Sequence, residues 1–407
     1  MKKILYLSYD GLTDPLGQSQ IIPYLQKLAN YDYRFTILSF EKEDRFIKDE
    51  EKIRKLLSPY HIKWKPLNFS TKPPIISKLF DAMRMKKNAY SLQKGSHFDM
   101  IHCRSYLAAD VGLSMKKRRG INFFFDMRGF WADEKVDSGQ WKQNNPFFRY
   151  VYRYYKHKEK KFLLEADAIV SLTEAAKNEI RKNPVYTNVP VDVIPCCTDL
   201  EHFNYERFNL QDINERKKQL GITSDQKIIL YLGSVGGWYM TREMFSFYKQ
   251  LLEKYPSFVM LFLTKDDPAK VLAVSHAAGI PDNKIIVTYT DRNKLPEYLS
   301  ISDFSIFFIR PTYSKIASSP TKHAELMGMG IPVICNDIGD TGTIVRNTKS
   351  GLIIEQFSEQ GYEYIINRLP ELLAIEKKHI REAAFQYFDL GTGVAKYLEI
   401  YKRVIGS

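Results

Sequence analysis

The sequence predicts an α/β protein with two doubly wound parallel sheets, and three observations support this. Short apolar runs typical of buried strands alternate with helical segments along the whole chain. The alternation restarts at 227–232, after a polar connection from about Thr198 to Gln226. The 407 residues suffice for two domains with separate hydrophobic cores. We expect ligands in the cleft beyond the carboxyl ends of both sheets.

Apolar runs with the length and composition of strands occur in both halves of the chain. In the first half they lie at 4–8, 35–40, 62–67, 100–103, 123–125, 168–172 and 191–194. In the second half they lie at 227–232, 258–263, 284–287, 304–309, 331–335 and 352–354. The segments between them have helical spacing, so neighbouring strands are expected to be parallel.

The composition is that of a soluble globular protein, with 44% hydrophobic and 26% charged residues. No apolar run approaches the roughly 18 residues that span a bilayer, and the N-terminal run meets Asp10 too early for a signal peptide. We therefore expect a cytoplasmic location. The four cysteines lack the spacing of a zinc site or a disulfide framework. The formal net charge of +13 favours anionic partners.

The most informative segment is 318–334, which predicts a loop, a helix, a tight stop and a buried strand. Ser319 suits the N-cap and Pro320 the first helical position, where a missing N–H costs nothing. Gly330 is placed to end the helix, because a positive φ costs glycine little. Pro332 falls at the start of the strand, where a ladder donor is least needed.

The first turn of this helix offers a site for an anion. Its unpaired backbone N–H groups and the positive end of the helix dipole attract a diphosphate. Lys322 adds a positive charge there, and Glu325, one turn later, can accept hydrogen bonds from two neighbouring hydroxyls. A diphosphate with a ribose on the carboxylate fits this arrangement. A capped surface helix with an ordinary Lys/Glu pair is the alternative that the spacing leaves open.

The same run, S-P-T-K-H-A-E followed by G-M-G-I-P-V-I, resembles the donor-binding motif of GT-B glycosyltransferases, specifically the large retaining family 4. The resemblance implies that Glu325 holds the nucleotide ribose and that Ser319, Thr321 and Lys322 surround the diphosphate. Many members carry another glutamate eight positions before this one. Here that position is Ala317, so the earlier carboxylate is absent.

The resemblance also implies the organisation of the chain. It makes 1–200 an acceptor-side Rossmann-like domain and 201–385 the nucleotide-sugar donor domain, which face each other across a cleft in the GT-B fold. The segment 386–407 is expected to be a helix that packs back on the first domain. The run V-I-P-C-C-T-D at 193–199 is similar to the hinge signature of the family, and Asp199 is expected to be a structural cap.

A long loop is predicted at 10–19, with a helix beginning near Gln20. Gly11 and Gly17 would let the backbone approach a ligand closely. The family places a glycine-rich loop here, and the resemblance implies that Gly17 and Gln18 contact the donor. A plain turn rich in Asp, Pro and Gly is the alternative.

Two strand ends in the first half carry groups that can bind a sugar or an anion. After the fifth predicted strand, Asp126 can accept hydrogen bonds, Arg128 can hold an anion and Trp131 can stack on a sugar. Family members often place a histidine here, and we predict catalytic roles for Asp126 and Arg128 in its stead. His102 and Arg104 lie at the end of the fourth strand. With Trp131 they are candidates for contacts to the acceptor or sugar, although a lone histidine is often merely hydrogen-bonded.

The second half opens with a strand, a glycine-rich loop at 233–237 and a helix, which suits a phosphate cradle. The spacing matches neither Gly-x-Gly-x-x-Gly nor a P-loop. Many family members have an arginine after the first glycine and a lysine further on, where this chain has Ser234 and Tyr239. We therefore expect the charge on the diphosphate to be balanced by Lys322, helped by Arg310 at a strand end.

Four further donor contacts are predicted around this cradle. Gly233 and Ser234 belong to the glycine-rich loop itself. Thr288 and Tyr289 end the strand where the family packs the nucleotide base, so the resemblance adds them to the donor site. The sequence does not identify the base.

Three segments of the first half are basic and aromatic, at 71–94, 116–119 and 147–158. The first has the spacing of an amphipathic helix with a basic side. One interpretation is docking on anionic lipid, where a lipid-linked acceptor would be presented. The alternatives are an aromatic core with a solvated basic face, and binding of single-stranded nucleic acid, which no recognisable binding module supports.

These features predict a glycosyltransferase that moves a sugar from a nucleoside diphosphate to a polysaccharide or lipid-linked acceptor in surface polysaccharide synthesis. By family analogy the reaction retains configuration. No metal or cofactor besides the donor is expected, because no Asp-x-Asp pair follows a convincing strand end. The expected location is cytoplasmic, peripheral at the inner face of the membrane. The alternatives are a sugar-nucleotide epimerase and a non-catalytic nucleic-acid-binding protein on a GT-B scaffold.

Overall fold

A computed structural model describes the chain at residues 1–71 and 76–406. Part of the predicted basic segment at 71–94 lies outside these residues. The chain forms two compact units. The first comprises Met1–Cys196 and the segment from Leu390 onward, and the second comprises Cys197–Asp389. The chain therefore passes between the units twice.

The first unit is built on a parallel sheet with strand order β3-β2-β1-β4-β5-β6-β7. Its strands are β1 (Lys2–Ser8), β2 (Tyr33–Glu41), β3 (Lys63–Asn68), β4 (Met100–Arg104), β5 (Asn122–Asp126), β6 (Ala168–Ser171) and β7 (Val191–Val193). Its helices before the first crossing are α1 (Pro15–Gln20), α2 (Ile22–Ala29), α3 (Glu43–Leu57), α4 (Ile76–Ser96), α5 (Ser105–Arg119), α6 (Trp131–Asp137), α7 (Pro146–Glu165) and α8 (Glu174–Arg181).

The second unit repeats this plan with strand order β10-β9-β8-β11-β12-β13. Its strands are β8 (Lys227–Leu232), β9 (Phe258–Leu263), β10 (Ile285–Thr288), β11 (Phe304–Phe307), β12 (Val333–Asn336) and β13 (Gly351–Ile354). Its helices are α9 (Leu210–Gln219), α10 (Thr241–Lys254), α11 (Pro268–Ala277), α12 (Leu295–Leu299), α13 (Thr321–Gly328), α14 (Thr341–Thr348), α15 (Glu359–Asn367), α16 (Leu369–Leu373) and α17 (Lys377–Phe388).

The C-terminal helix α18 (Leu390–Ile405) belongs to the first unit. Its tyrosines pack on aromatic residues of that unit: the Tyr397 ring lies 5.6 Å from Tyr24, and the Tyr401 ring lies 5.2 Å from Tyr33. The Lys396 ammonium donates to the carbonyl of Val193, the last residue of β7, at 3.1 Å. These contacts attach the last helix firmly to the first sheet.

The central strands are buried on both faces, which explains their near-continuous apolar sequences. In β8 all residues except the first are buried, and in β9 all are. Strands covered on both sides by crossover helices need no alternation of polar and apolar residues. The predicted fold of two doubly wound parallel sheets is confirmed.

The strand order reverses between β1 and β4 in the first sheet and between β8 and β11 in the second. Connections from the two strands at such a point leave toward opposite faces, so a crevice opens at their carboxyl ends. In the second unit, the segments after β8 and β11 therefore border one crevice. Helix α13 follows the second of these segments.

The predicted start of the first helix is wrong. Instead of beginning near Gln20, α1 begins at Pro15 and ends at Gln20. Pro15 suits the first turn, which needs no donor from it. Gly17 and Gln18 consequently lie in a helix and not in a loop.

Two predicted boundaries around α13 are also shifted. Pro320 is the N-cap residue in place of Ser319, because its ψ of 122° is extended and the helix begins one residue later. Strand β12 begins at Val333, two residues later than predicted. The N–H of Ile331 donates to the carbonyl of Leu326 at 3.0 Å, which keeps this residue in the closing turn of the helix.

Gly330 ends α13 as predicted, with a φ of +64°. A Cβ at this position would lie 2.7 Å from both the Cβ and the carbonyl oxygen of Lys377 in α17. Glycine is therefore required for two reasons, its backbone conformation and the close approach of another helix.

We expect Gly330→Ala to lower the free energy of unfolding by more than the roughly 1–2 kcal/mol that a left-handed conformation costs alanine. The matched control is Gly221→Ala, since Gly221 has a φ of +70° but no atom within 4 Å of its Cβ position. Urea titrations of both variants would measure the difference. Equal losses of unfolding free energy would show that Lys377 moves away from the new Cβ without cost.

Candidate functional site

Lys322 lies in the first turn of α13, and its ammonium has no hydrogen-bond partner among the described residues. The residue is 5% exposed. Its Nζ lies 3.7 Å from the ring centroid of Tyr239 and 4.4 Å from that of Tyr231. Burial lowers the pKa of Lys322 to about 7, and the charge of Glu325 acts in the opposite direction. The site thus holds a desolvated amine, protonated below about pH 7, at the N-terminus of a helix.

The glycine-rich loop after β8 lies directly against Lys322. Gly233 has a φ of +114°, and a Cβ there would lie 3.0 Å from the Lys322 Nζ. The Tyr231 hydroxyl donates to the carbonyl of Ser234, and the N–H of Val235 donates to a carboxylate oxygen of Asp266 at 2.5 Å. The loop is therefore fixed beside the ammonium, with Ser234 exposed.

The segment after β11 runs beside the same loop. The N–H of Arg310 donates to the carbonyl of Trp238 at 2.9 Å, and the Arg310 side chain is exposed. The next turn, Tyr313–Ala317, places the Lys315 ammonium 3.9 Å from the Trp238 ring centroid. Ala317, where the family carries its first glutamate, is buried in this turn.

Ser319 and Thr321 flank the N-terminus of α13, and both are half-buried. They lie on either side of Pro320, in the segment that leads from the Tyr313–Ala317 turn into the helix. The structure therefore brings the predicted diphosphate-binding residues of the loop, the β11 end and the helix to one place.

Glu325 is 4% exposed and accepts a hydrogen bond from Nη1 of Arg292. The other terminal nitrogen of this guanidinium, Nη2, donates to the Thr198 hydroxyl at 3.2 Å. The guanidinium also lies 5.0 Å from the ring centroid of Phe203. Arg292 was not among the predicted residues.

Thr288 and Tyr289 lie at the carboxyl end of β10. The carbonyl of Thr288 accepts from the N–H of Thr264 at 3.0 Å. Tyr289 is 47% exposed and donates its hydroxyl to Asp291 at 3.0 Å. Arg292 follows in the same loop, so its bond to Glu325 brings this loop next to α13.

His323, which follows Lys322, is fully buried between the rings of Phe307 and Phe388. Neither ring nitrogen has a hydrogen-bond partner among the residues described. Burial lowers the pKa of His323 to about 3, so the side chain is neutral and part of the core.

The first unit contains a second polar cluster, centred on Asp126 at the end of β5. Asp126 is 1% exposed. Its Oδ2 lies 3.6 Å from Nε2 of His102 and 3.7 Å from Nη1 of Arg104. The Tyr397 hydroxyl donates to the same oxygen at 3.4 Å, and Nη1 of Arg128 lies 3.8 Å from Oδ1. Three of the predicted residues therefore surround the fourth.

Neighbouring side chains keep the Asp126 carboxylate ionised despite its burial. Burial alone would raise the pKa of Asp126, but Arg128, His102 and Arg104 outweigh it and hold the pKa below its usual value. Burial lowers the pKa of His102 in spite of the neighbouring carboxylate, so the imidazole is neutral. Its Nδ1 lies 2.7 Å from the Tyr401 hydroxyl. Arg128 has a φ of +58°, a conformation that costs a non-glycine residue about 1–3 kcal/mol.

Gly17 and Gln18 serve the local structure of the first β–α connection. A Cβ at Gly17 would clash with backbone atoms of Gly11 and Leu12, and the Gln18 amide donates to the carbonyl of Thr13 at 3.2 Å. The connection is held by the buried Glu41 carboxylate. The N–H groups of Leu12 and Thr13 donate to it at 2.8 and 3.1 Å.

Trp131, the predicted sugar platform, lies in an aromatic cluster. Its ring centroid is 4.9 Å from Tyr155, 5.4 Å from Trp141 and 5.7 Å from Tyr106. The Lys135 ammonium lies 5.7 Å from the same ring. Neighbouring side chains thus occupy much of the indole surface.

Residues 1–71 and 76–406 contain neither a metal-binding cluster nor a membrane-spanning helix. No group of three or more His, Cys, Asp or Glu side chains is arranged there to hold a metal ion. Within the same ranges, no helix combines the length and apolar character needed to cross a membrane. All four cysteines, which belong to these ranges, are buried without a disulfide.

The sequence reasoning missed three groups of the site. Tyr231 and Tyr239 surround the Lys322 ammonium, and Arg292 holds Glu325. Tyr239 carried a signal, because it stands where many family members have a lysine. Arg292 carried none, since no motif spacing links it to α13.

Two family models match the chain. One described as "Glycosyltransferase Family 4" matches residues 24–202, and one described as "Glycosyl transferases group 1" matches residues 212–386. Among curated proteins, TuaC of Bacillus subtilis, named for teichuronic acid biosynthesis, is 23% identical over 204 residues, 50% of this chain and 46% of TuaC. The D-inositol 3-phosphate glycosyltransferase of Rhodococcus erythropolis is 18% identical over 306 residues, 72% of this chain and 66% of that enzyme. The chain thus aligns with about half to two-thirds of these relatives.

Among solved structures, Anabaena HepE in complex with UDP and glucose matches with a TM-score of 0.70 and 15% identity, covering 98% of this chain and 99% of HepE. At this identity the similarity establishes the fold. Together the two family models cover most of the chain, one in each half. The chain belongs to the GT-B glycosyltransferases.

Proposed function

We propose that this protein transfers a sugar from a nucleoside diphosphate donor that binds in the second unit. The observation that carries the proposal is the buried Lys322 ammonium, which lacks a hydrogen-bond partner in the described part of the chain. Withdrawing an ammonium from water costs several kcal/mol. Aromatic rings return about 2 kcal/mol when desolvated. The remaining cost is met when a phosphate pairs with the lysine.

The donor would lie along the crevice at the end of β8 and β11. Its diphosphate would meet Lys322, the N-terminus of α13 and the Gly233–Ser234 loop, with Arg310 nearby. The ribose would reach Glu325 one helical turn further on. The base would lie toward Thr288 and Tyr289. HepE, which has the same fold, binds UDP and glucose, and this supports a nucleotide sugar as donor.

Catalysis would depend on stabilising the departing diphosphate. The bond between the anomeric carbon and the diphosphate oxygen breaks, the acceptor oxygen bonds to that carbon, and the acceptor proton passes to the departing diphosphate. Negative charge grows on the diphosphate, where Lys322 and the helix N–H groups favour the transition state more than the bound donor. We propose that this proceeds without a metal and, by family analogy, with retention.

In the first unit, Arg128 and Arg104 would bind the acceptor, with the neutral His102 beside Asp126. The close approach of both arginines to Asp126, at 3.7 and 3.8 Å, changes its predicted role. We propose that it positions the two arginines and does not touch substrate. The acceptor would be a polysaccharide or lipid-linked glycan of the cell surface, an assignment that the name of TuaC supports.

A membrane-facing surface fits a lipid-linked acceptor. Leu79, Phe80 and Met83 of α4 are 55%, 52% and 62% exposed and follow one another along one side of the helix. Lys87 continues this side and is exposed. On α7, Tyr150 is 69% exposed. Exposed apolar groups among cations favour an anionic lipid surface, so we propose peripheral docking at the inner face of the membrane.

We expect Glu325→Ala to weaken donor binding at least about tenfold without unfolding the protein, because buried acceptors of ribose hydroxyls discriminate strongly. Calorimetry with UDP, GDP, ADP and CMP and their sugar conjugates, in EDTA, would measure this. The matched control is Glu371→Ala, which removes another carboxylate paired with an arginine in this unit. Undiminished binding by Glu325→Ala would refute the assignment. Sugar-nucleotide conversion without an acceptor would instead favour an epimerase.

Lys322→Met should weaken donor binding but raise stability. Between pH 7 and 10.5 the unfolded chain holds the lysine proton and the folded chain does not, so wild-type stability rises with pH across this window. Below pH 7 the lysine is protonated in both states, so the full cost of burying the ammonium lowers the stability of the wild type. The variant should therefore gain most at or below pH 7, about 3 kcal/mol after the loss of the ring contacts.

Urea titrations at pH 6.5, 8 and 9.5 would test this gain, with the exposed Lys270→Met as control. A variant that is less stable than the wild type at pH 6.5 would contradict the burial argument. Calorimetry with the preferred donor would test the expected loss of donor binding. Equal donor affinity in Lys322→Met would remove the lysine from the diphosphate site.

Replacing Leu79, Phe80 and Met83 together by serine should lower binding to anionic vesicles at least about tenfold, because three apolar side chains lose their burial in lipid. Co-flotation with phosphatidylglycerol vesicles would measure this. The control is Ile47→Ser with Leu210→Ser, which removes apolar side chains that are 77% and 78% exposed elsewhere. An equal loss of vesicle binding in both variants would show that the apolar side of α4 is not a specific docking surface.

A further inference from the structure

We infer that Arg292 is a positioning residue that holds Glu325 for the donor ribose and keeps Lys322 available for the diphosphate. The inference rests on the proposed function. It follows from the arrangement of three charged groups around one turn of α13 and from the anchoring of Arg292 to the start of the second unit.

Glu325 has two cations in reach, and the structure pairs it with the more distant one in sequence. Lys322 lies three residues earlier on the same helix, a spacing at which side chains meet. Its ammonium nevertheless turns to the rings of Tyr231 and Tyr239, and the carboxylate takes its hydrogen bond from Arg292. Arg292 therefore satisfies the carboxylate that would otherwise draw Lys322 to itself.

The hydrogen bond from Arg292 still leaves the carboxylate able to bind hydroxyls. Nη1 approaches Oε1, and an ionised carboxylate has about four acceptor positions on two oxygens. One arginine contact thus leaves room for a ribose diol. The guanidinium fixes the orientation of these acceptors before the donor arrives, which lowers the ordering cost of binding.

Arg292 is itself held by residues next to the chain crossings. Its Nη2 donates to the Thr198 hydroxyl at 3.2 Å, and its plane lies over Phe203. The N–H of Thr198 donates to the carbonyl of Phe388 at 2.9 Å. The backbones of Thr198 and Asp389 also form an isolated parallel β-bridge. The orientation of Glu325 thus depends, through Arg292, on the segments where the chain enters and leaves the second unit.

The test compares ribose recognition in wild type and variants. Calorimetry would use the diphosphate preferred among UDP, GDP and ADP, and its 2′,3′-dideoxy analogue. The wild type should prefer the ribose form at least about tenfold, because its buried carboxylate requires hydroxyl donors. Arg292→Ala should reduce this preference to within about threefold, mainly by weakening the ribose form. In the Glu325→Ala background, Arg292→Ala should have no further effect on the preference.

The matched control is Arg368→Ala. Arg368 also pairs with a carboxylate, Glu371, lies 5.5 Å from the ring centroid of Tyr364 and belongs to the same unit. This variant should keep the full ribose preference. A general effect of losing an arginine would lower the preference in both variants and overturn the inference.

The outcomes separate the inference from the proposed function. Binding of the ribose form by wild type, with an unchanged or increased preference in Arg292→Ala, overturns the inference and leaves the proposed function standing. Absence of binding to any diphosphate by wild type overturns both. If circular dichroism shows that Arg292→Ala is unfolded, the ribose preference of Thr198→Val is measured in its place. A preference lowered at least about twofold supports the inference, and an unchanged preference overturns it.

Discussion

The proposed donor site depends on one constraint, an amino group withdrawn from water. Two tyrosine rings face the Lys322 Nζ at 3.7 and 4.4 Å, and a Cβ on Gly233 would lie 3.0 Å from it. Such rings return about 2 kcal/mol, whereas desolvating an ammonium costs several. The cost of desolvating the ammonium therefore exceeds what the rings return, and a diphosphate that pairs with the lysine would offset the difference. This local instability is the kind that persists at binding sites.

The same constraint explains how this chain departs from the motif it resembles. The glycine-rich loop has Ser234 and Tyr239 where related enzymes have cations, and Ala317 stands where they have a carboxylate. Tyr239 supplies an aromatic face for a lysine that comes from α13. The positive charge is therefore present in the crevice but is contributed by a different element. Electrostatic stabilisation of a leaving group depends on where the charge lies, and not on which segment supplies it.

The sequence predicted the fold well because its evidence is local. Strands such as β8 and β9 are apolar almost throughout, and this pattern has few explanations besides a sheet covered on both faces. Boundaries failed at Pro320 and Pro332, where one residue type suits both the last position outside an element and the first inside it. Lys322 and Glu325 were found because both lie on one helix. Arg292 and Tyr231 were not, since only the reversal of strand order brings the ends of distant strands to α13.

The two polar clusters solve a common problem in different ways. In each unit a buried carboxylate is oriented by arginine: Glu325 by Arg292, and Asp126 by Arg104 and Arg128. A buried carboxylate without such partners would be costly and free to rotate. In the second unit the pairing leaves the Lys322 amine without a hydrogen-bond partner among the described residues. In the first, Arg104 also pairs with Asp10 at 3.4 Å, so two carboxylates balance the two guanidinium groups. Pairing with arginine therefore orients both carboxylates, and in the second unit it also reserves the Lys322 amine for the proposed diphosphate.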